Sequence, residues 1–265
     1  MNIDTFIEIG SQHKVCEDYI ISGRDPVPYI ILSDGCSTSN NTEMGARILC
    51  HLAKQFLLYN RDDLHDFDSM KLGSWVIHNA EQTARQLGLS RSCLTATLIV
   101  AYHLDNRLRI MMFGDGSFVT VGQQGGIEML SVEYESNAPY YLVYEIDKFR
   151  HDLYDERSPA KFVNTIYSDS SKNRDQFAYD HPLVYTINTT LNPLVMIMSD
   201  GIDSFLHEAT PQSSEEIMPL FTNFKNTKGE FLKRRLNRQM KSFAKSGINH
   251  YDDLSVGAFL KVEEM

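Results

Sequence analysis

Residues 29–39 read Y-I-I-L-S-D-G-C-S-T-S, an apolar, β-rich run that stops abruptly at an aspartate and a glycine. With Pro26 and Pro28 before it and Gly35 after it, the run has the length and composition of a buried strand. Gly35 gives the backbone freedom for a sharp exit, so Asp34 is expected at a strand end. The same construction returns at residues 195–201, V-M-I-M-S-D-G, and more loosely at residues 110–116, I-M-M-F-G-D-G. An aspartate–glycine pair taken alone is a common turn. Three of them closing three apolar runs read as a site assembled from distant parts of one sheet system.

Residues 3–9 and 19–21 read as short strands around a polar connection that carries Cys16, Glu17 and Asp18. After Asp34, Asn40, Asn41 and Thr42 are helix-cap candidates, and Gly45, Ile48, Leu49, Leu52, Ala53 and Phe56 recur at helical spacing. A second helix is predicted over residues 69–87, with Leu72, Trp75, Val76, Ala80, Thr83 and Leu87 on one face and Gly88 at its end. Residues 93–121 change to a β pattern of three strands, broken at Asp105–Asn106 and at residues 114–116, which predicts an antiparallel meander. Residues 131–192 read as loops, short strands and a mobile, flap-like variable segment. Strand returns over residues 194–198, helices over 215–221 and 230–245, and a final strand over 254–262. The order lacks regular βαβ alternation, so the expectation is one α+β domain over residues 1–265, with antiparallel sheets covered by helices.

With 265 residues, 42% of them hydrophobic, the chain can bury one large core. Its net charge of −10, without a basic stripe, excludes an extended phosphate-binding face for nucleic acid. Cys16, Cys36, Cys50 and Cys93 have no C-x-x-C spacing and the N-terminus lacks a basic, then apolar leader, so a reducing cytoplasm is expected. The most apolar stretch, residues 94–104, contains Thr95, Thr97 and His103 and is far shorter than the ~20 residues that span a bilayer. No membrane association is expected.

Glu17, Asp18, Asp34, Asp115, Asp200, Asp252 and Asp253 are the candidate site residues. Converging carboxylates repel one another unless protons or cations neutralise them, and hard divalent ions take such oxygen ligands. Only His250 stands close in sequence to one of these aspartates, so Mg²⁺ or Mn²⁺ is expected before zinc. A pair of hard cations suits attack by water on a phosphate ester.

The motifs C-E-D at residues 16–18, S-D-G at 33–35, T-A-T at 95–97, F-G-D-G at 113–116, S-D-G at 199–201 and D-D-L-S at 252–255 together resemble the metal-dependent serine/threonine protein phosphatases of the PPM, or type 2C, family. Each motif is weak alone; in this order they are specific and cover nearly the whole chain. The resemblance implies a four-layer α-β-β-α sandwich, in which two antiparallel sheets are flanked by helices. It implies hydrolysis of phosphoserine and phosphothreonine by a metal-bridging hydroxide at a binuclear Mg²⁺ or Mn²⁺ centre. Asp34 would bridge the ions, with Glu17 and the Gly35 carbonyl on one and Asp200 and Asp252 on the other. Asp18 would act through bound water, and Asp115 would help hold a third ion. Asp34, Asp200 and Asp252 form the implied catalytic set. The implied partners are a phosphoprotein substrate and, by analogy with stand-alone bacterial members, a cognate Ser/Thr kinase or its targets.

The chain departs from the family pattern at four places. His13 stands four residues before Glu17, where many members carry a phosphate-binding arginine. It is the candidate phosphate-binding residue, although a neutral imidazole holds phosphate less well than a bidentate guanidinium. Lys14 and Arg24 read as exposed charges. Cys36 stands where some members have a histidine, Gly116 replaces a serine, and Asp253 replaces an asparagine. Among other chemistries, a C-x5-R thiolate site is absent, Asp66 and Asp68 lie in a polar inter-helix loop and do not follow a strand as D-x-D, and there is no G-x-S-x-G elbow. The rival from another class is a non-catalytic, phosphatase-like module that binds a regulatory partner.

Overall fold

The computed structural model describes residues 1–65, 67–167 and 171–262. The chain runs β1 (Asn2–Glu8), β2 (Tyr19–Gly23), β3 (Tyr29–Ser33), α1 (Thr42–Tyr59), α2 (Ser69–Gln86), β4 (Leu98–Leu104), β5 (Arg107–Phe113), β6 (Gly116–Val121), β7 (Ile127–Tyr134) and α3 (Lys148–Arg157). It continues through β8 (Lys161–Tyr167), β9 (Lys172–Phe177), β10 (Leu183–Asn188), β11 (Leu194–Met198), β12 (Phe205–His207), β13 (Thr210–Pro211), α4 (Ser214–Thr222), α5 (Phe231–Lys245), β14 (Ile248–His250) and β15 (Leu254–Leu260). One sheet has the order β1-β15-β11-β6-β7-β8-β9, a second β10-β5-β4-β3-β2, and a small third β13-β12-β14. Neighbouring strands pair antiparallel throughout.

Side-chain alternation in β3 and its neighbours builds the layers. Ile31, Leu98, Val100, Met111 and Phe113 turn to α1 and α2, where Leu49, Phe56, Leu72 and Val76 meet them. Their sequence neighbours Ile30, Leu32, Ile99, Ile110 and Met112 turn the other way, onto Phe118, Val132, Val195, Ile197 and Phe259 of the larger sheet. The far face of that sheet, with Val119, Met196, Met198, Val256 and Ala258, packs on Ile217, Phe221, Leu232, Leu236 and Phe243 of α4 and α5. The architecture is therefore the expected four-layer α-β-β-α sandwich. Because β3, β4 and β11 are covered on both faces, they read as continuous apolar runs. Each fully buried side chain such as Ile30 contributes about 2 kcal/mol, and a charge at that position would break the inter-sheet layer.

The expected three-stranded meander is not what forms. β4 and β5 make a hairpin through Asp105 and Asn106, which both have positive φ (48° and 59°) as a two-residue turn requires. β6 does not pair with β5; it crosses to the larger sheet between β11 and β7. Gly114 and Gly116, at φ 92° and 122°, let the chain leave one sheet and enter the other, which puts Asp115 between them. Residues 131–192 hold more regular structure than expected, including β8, β9, β10 and the helix α3. α3 has a polar sequence with only Tyr154 buried, so apolar periodicity did not mark it; Asp147 caps it by accepting from the Arg150 N–H at 3.2 Å.

On α2, Leu72, Val76 and Ala80 are buried as expected, but Leu87 is exposed and Gly73, Ile77 and Ala84 turn inward. Asp68 caps that helix through the Met70 N–H, while Asp66 of the polar inter-helix loop and residues 168–170 of the variable segment lie outside the described residues. Among the described residues no helix is long and apolar enough to cross a membrane.

Candidate active site

Both S-D-G stretches end central strands, and neighbouring chain fixes each turn. After β3, the Ser33 hydroxyl donates to the Thr97 carbonyl at 2.6 Å, the Asp34 N–H donates to Thr97 Oγ1 at 3.1 Å, and the Thr97 N–H donates back to the Asp34 carbonyl at 2.8 Å. The T-A-T stretch thus sets the direction in which Asp34 leaves the sheet. A Cβ on Gly35 would stand 2.8 Å from Thr42 Cβ and 3.0 Å from the Glu17 carbonyl oxygen, so only glycine lets the Glu17 segment lie this close.

After β11, Asp200 opens a single turn of 3₁₀-helix, residues Asp200–Asp203. A Cβ on Gly201 would meet the Asp253 carbonyl oxygen at 1.9 Å. The Asp200–Gly201 turn and the Asp252–Asp253 pair are therefore packed backbone to backbone, and the Asp34–Gly35 turn packs on the Glu17 segment.

The remaining carboxylates are held by specific bonds. Asp18, just before β2, is buried, and its Oδ2 accepts from Ser199 Oγ at 2.8 Å; Ser199 Oγ in turn accepts from the Ser255 N–H at 3.0 Å. Asp18 Oδ1 is buried without a hydrogen-bond partner. Glu17 Oε1 accepts from Thr42 Oγ1 at 3.1 Å. Asp253 does not face the groove: its Oδ1 accepts from the Gly10 N–H at 2.8 Å and its Oδ2 from the Glu17 N–H at 2.6 Å. It ties the segment carrying Glu17 and Asp18 to the start of β15. Asp252 Oδ1 accepts from the Asp253 N–H at 2.8 Å.

These groups lie within range of one another's charge. Burial, and then the charges of Asp18 and Asp200, hold the Asp34 carboxyl well above the usual aspartate range, with Asp115 adding to the effect. Burial followed by Asp200 does the same to Asp115 and, more weakly, to Asp252. Burial pushes Asp18 up to about 8, against the bond from Ser199, and Asp200 and Asp253 add to the rise. Glu17 is raised by burial, partly offset by Thr42. A buried carboxylate set without a matching cation disfavours its own ionisation.

One imidazole stands among them. His13 Nδ1 lies 3.0 Å from Asp253 Oδ2, and Nε2 lies 3.4 Å from Asp252 Oδ1. Burial lowers the His13 pKa, but the bond to Asp253 and the charges of Asp253, Asp252 and Glu17 outweigh it and leave the ring easier to protonate than an ordinary histidine. Among the described residues, no group of three or more His, Cys, Asp or Glu side chains is arranged so that it could hold a metal ion. The carboxylates feel one another's charge without closing into a ligand shell.

The structure thus brings Asp18, Asp34, Asp115, Asp200 and Asp252 into mutual range, places Glu17 beside them through Asp253, and gives Asp253 a supporting position. Lys14 and Arg24 are exposed, and Arg24 donates to the Met1 carbonyl. A groove of about 430 Å³ opens over Asp115, Asp200 and Asp252, with Asp203, Tyr134 and Asn137 in its walls. Sequence reasoning missed Ser199 as the partner of Asp18, and it missed Tyr141. Burial raises the Tyr141 pKa, and Asp115, Cys36 and Asp34 add to it, which places the buried phenol beside both D-G turns. Ser199 could have been found from its place in the S-D-G motif. Tyr141, one of thirteen tyrosines and outside any motif, carries no such signal.

A family model described as protein phosphatase 2C matches residues 10–242. Among solved structures, the fold is similar to a bacterial serine phosphatase at TM-score 0.61 and 11% identity, over 100% of this chain and 99% of that one. It is similar to the serine/threonine phosphatase Stp1 of Staphylococcus aureus at TM-score 0.58 and 12% identity, over 99% and 95%. It is also similar to the catalytic domain of the serine/threonine protein phosphatase PstP, solved with two manganese ions, at TM-score 0.54 and 15% identity, over 98% of each chain. At these identities the likeness establishes the fold. No curated protein sequence matches the chain.

Proposed function

The chain belongs to the protein phosphatase 2C family, and from that premise we propose that it is a metal-dependent phosphatase hydrolysing phosphoserine and phosphothreonine in phosphoprotein substrates, with Asp34, Asp200 and Asp252 as its catalytic carboxylates. The observation that carries this reading is the carboxylate cluster itself. Asp18, Asp34, Asp115 and Asp252 all have raised pKa values through burial and through one another or Asp200. Such a set reaches its ionised form at neutral pH when cations join it.

The donors are of the chemical type that hard ions take, although the side chains are not drawn together into a ligand shell. They are all oxygens, from Glu17, Asp18, Asp34, the Gly35 carbonyl, Asp115, Asp200 and Asp252, and Asp18 Oδ1 has no other partner. Two Mn²⁺ or Mg²⁺ ions are the proposed cofactors, with Asp115 assigned to a third. The open arrangement of the side chains suits ions that keep part of their water shell. Bound there, such ions would lower the pKa of water to supply the nucleophile and would neutralise phosphoryl oxygens.

The chain's own residues supply orientation. Thr97 fixes Asp34, Ser199 fixes Asp18, and Asp253 fixes Glu17. His13 is the proposed phosphate contact on the Glu17 side. A cytoplasmic setting, with a Ser/Thr kinase or its targets as regulatory partners, completes the proposal; the four cysteines are free thiols.

The test is hydrolysis of an aryl phosphate and a phosphothreonine peptide by the purified protein, with and without Mn²⁺ or Mg²⁺. Metal-dependent turnover that disappears in Asp34→Asn and Asp200→Asn, with folding preserved, supports the reading; unchanged activity in either variant removes that residue from the catalytic set. One observation favours a second reading, a phosphatase-like module that binds a partner without turnover: the His13 ring lies between Asp252 and Asp253, where its protonated form would supply the cluster with an internal counter-charge. No turnover with any divalent ion, in a folded protein, would favour it.

A further inference from the structure

A second hollow, of about 290 Å³, lies beside the carboxylate groove. Its walls come from Cys36 and Thr38 in the turn after Asp34, from Tyr141, and from Arg150, Leu153 and Arg157 of α3. Asn137 lines both spaces, so the two adjoin there.

The position of Arg150 is fixed from the site side. Its Nη1 donates to Thr95 Oγ1 at 3.0 Å, and the Thr95 carbonyl accepts from the Cys36 N–H at 3.0 Å. Two hydrogen bonds therefore connect the guanidinium to the turn carrying Asp34, and the ring of Tyr144 lies 5.8 Å from it. Among the described residues, neither Arg150 nor Arg157 is paired with a carboxylate, although the chain carries a net charge of −10. At helical spacing, Arg150, Leu153 and Arg157 share the face turned to the hollow. Beside them Phe149 is 77% exposed and Leu153 39% exposed. Two guanidiniums without a carboxylate partner, with the part-exposed Leu153 between them along one wall, match a polypeptide with acidic side chains.

We propose that this hollow is a substrate subsite that receives the chain flanking the phosphorylated residue, and that Arg150 and Arg157 select an acidic side chain there. The inference rests on the phosphatase reading above. It assigns the arginines to a flanking carboxylate and not to the phosphoryl group, because Asp34, Asp200 and Asp252 are absent from the walls of the hollow. The subsite gives the protein a preference for acidic phosphoproteins, and α3, in the variable segment, sets it.

The test compares two phosphothreonine peptides that differ only in three flanking aspartates or three flanking lysines, with an aryl phosphate as the substrate that has no flank. Wild-type protein is expected to show kcat/KM at least about tenfold higher for the acidic peptide, with the difference mainly in KM. Arg157→Glu, on the exposed end of α3, should reverse the order. Arg150→Gln should lower the acidic-peptide rate relative to the aryl-phosphate rate by about tenfold. No preference in the wild type, or a wild-type preference retained in both variants, overturns the subsite. A loss in Arg150→Gln that is equally large for the aryl phosphate also overturns it, since the guanidinium would then be holding the phosphoryl group. Binding of the same peptides, followed by fluorescence anisotropy, separates this inference from its premise. Acidic preference reversed by Arg157→Glu without any turnover counts against the phosphatase reading alone, and equal binding of both peptides counts against the subsite.

Discussion

Replacing Asp18 with asparagine should stabilise the metal-free protein at alkaline pH, although Asp18 is a candidate site residue. Asp18 is 2% exposed, has one oxygen without a partner, and is pushed from 3.8 up to about 8, first by burial and then by Asp200 and Asp253. Its folded-state pKa lies above its unfolded value, so the native state binds the extra proton, and metal-free stability falls as pH rises from about 4 to about 8. At about 1.4 kcal/mol per pH unit, the gap sets an upper limit of roughly 6 kcal/mol at pH 8.5. Asp34 is itself raised in part by Asp18, so only a share of that limit belongs to Asp18 alone. The new amide gives back about 1 kcal/mol by placing a donor or acceptor where none is matched.

The net expectation for Asp18→Asn in a chelating buffer is a gain of about 1–2 kcal/mol at pH 8.5, or a melting temperature raised by about 3–6 °C. The gain should shrink through pH 6 and become a small loss near pH 4.5, where the wild-type carboxyl is already protonated. Scanning calorimetry across that range is the assay. A variant less stable than wild type by the same amount at pH 4.5 and 8.5 would refute the claim that uncompensated charge strains this site. In saturating Mn²⁺ the order should reverse at alkaline pH, because the wild type regains its counter-charge.

Three further outcomes follow from the packing. Gly201→Ala forces a methyl group to within 1.9 Å of the Asp253 carbonyl; a loss of at least about 2 kcal/mol is expected, and an unchanged melting temperature would contradict the close approach. Ser199→Ala removes the donor to Asp18 and the acceptor for the Ser255 N–H; it should cost about 2 kcal/mol in denaturant unfolding, and a neutral result would show that neither bond matters. Asp253→Asn leaves one acceptor oxygen for the two N–H groups of Gly10 and Glu17. In Mn²⁺ it should lower the melting temperature by a few degrees and weaken ion binding, whereas an asparagine variant that matches wild type in both would show that the second oxygen is dispensable.

What the sequence made legible was local. The run closing at Asp34 declared both a doubly covered strand and its terminal carboxylate, because burial on two faces leaves no polar alternation and the glycine marks the exit. The same reading worked at Asp200. It failed at residues 114–116, where a hairpin turn and a crossing between sheets have the same local composition; only the pairing of β6 with β11 separates them. α3 escaped because its one buried residue, Tyr154, gives no apolar stripe. Within the Asp252–Asp253 pair, which carboxylate faces the groove and which ties down the Glu17 segment is decided by bonds to residues about 240 positions away. No local pattern encodes that choice. His13 was noticed as a departure, but its place between Asp252 and Asp253 came from tertiary packing.

The most direct measurement of the central claim, that the carboxylate cluster is a divalent-cation site, is calorimetric titration of Mn²⁺ into metal-free protein at pH 7.5, beside Asp34→Asn. The account predicts about two equivalents bound with release of protons, and loss of that binding in the variant while its circular dichroism stays that of the wild type. Wild-type protein that is folded and binds no Mn²⁺, or a variant that binds it undiminished, would contradict the account.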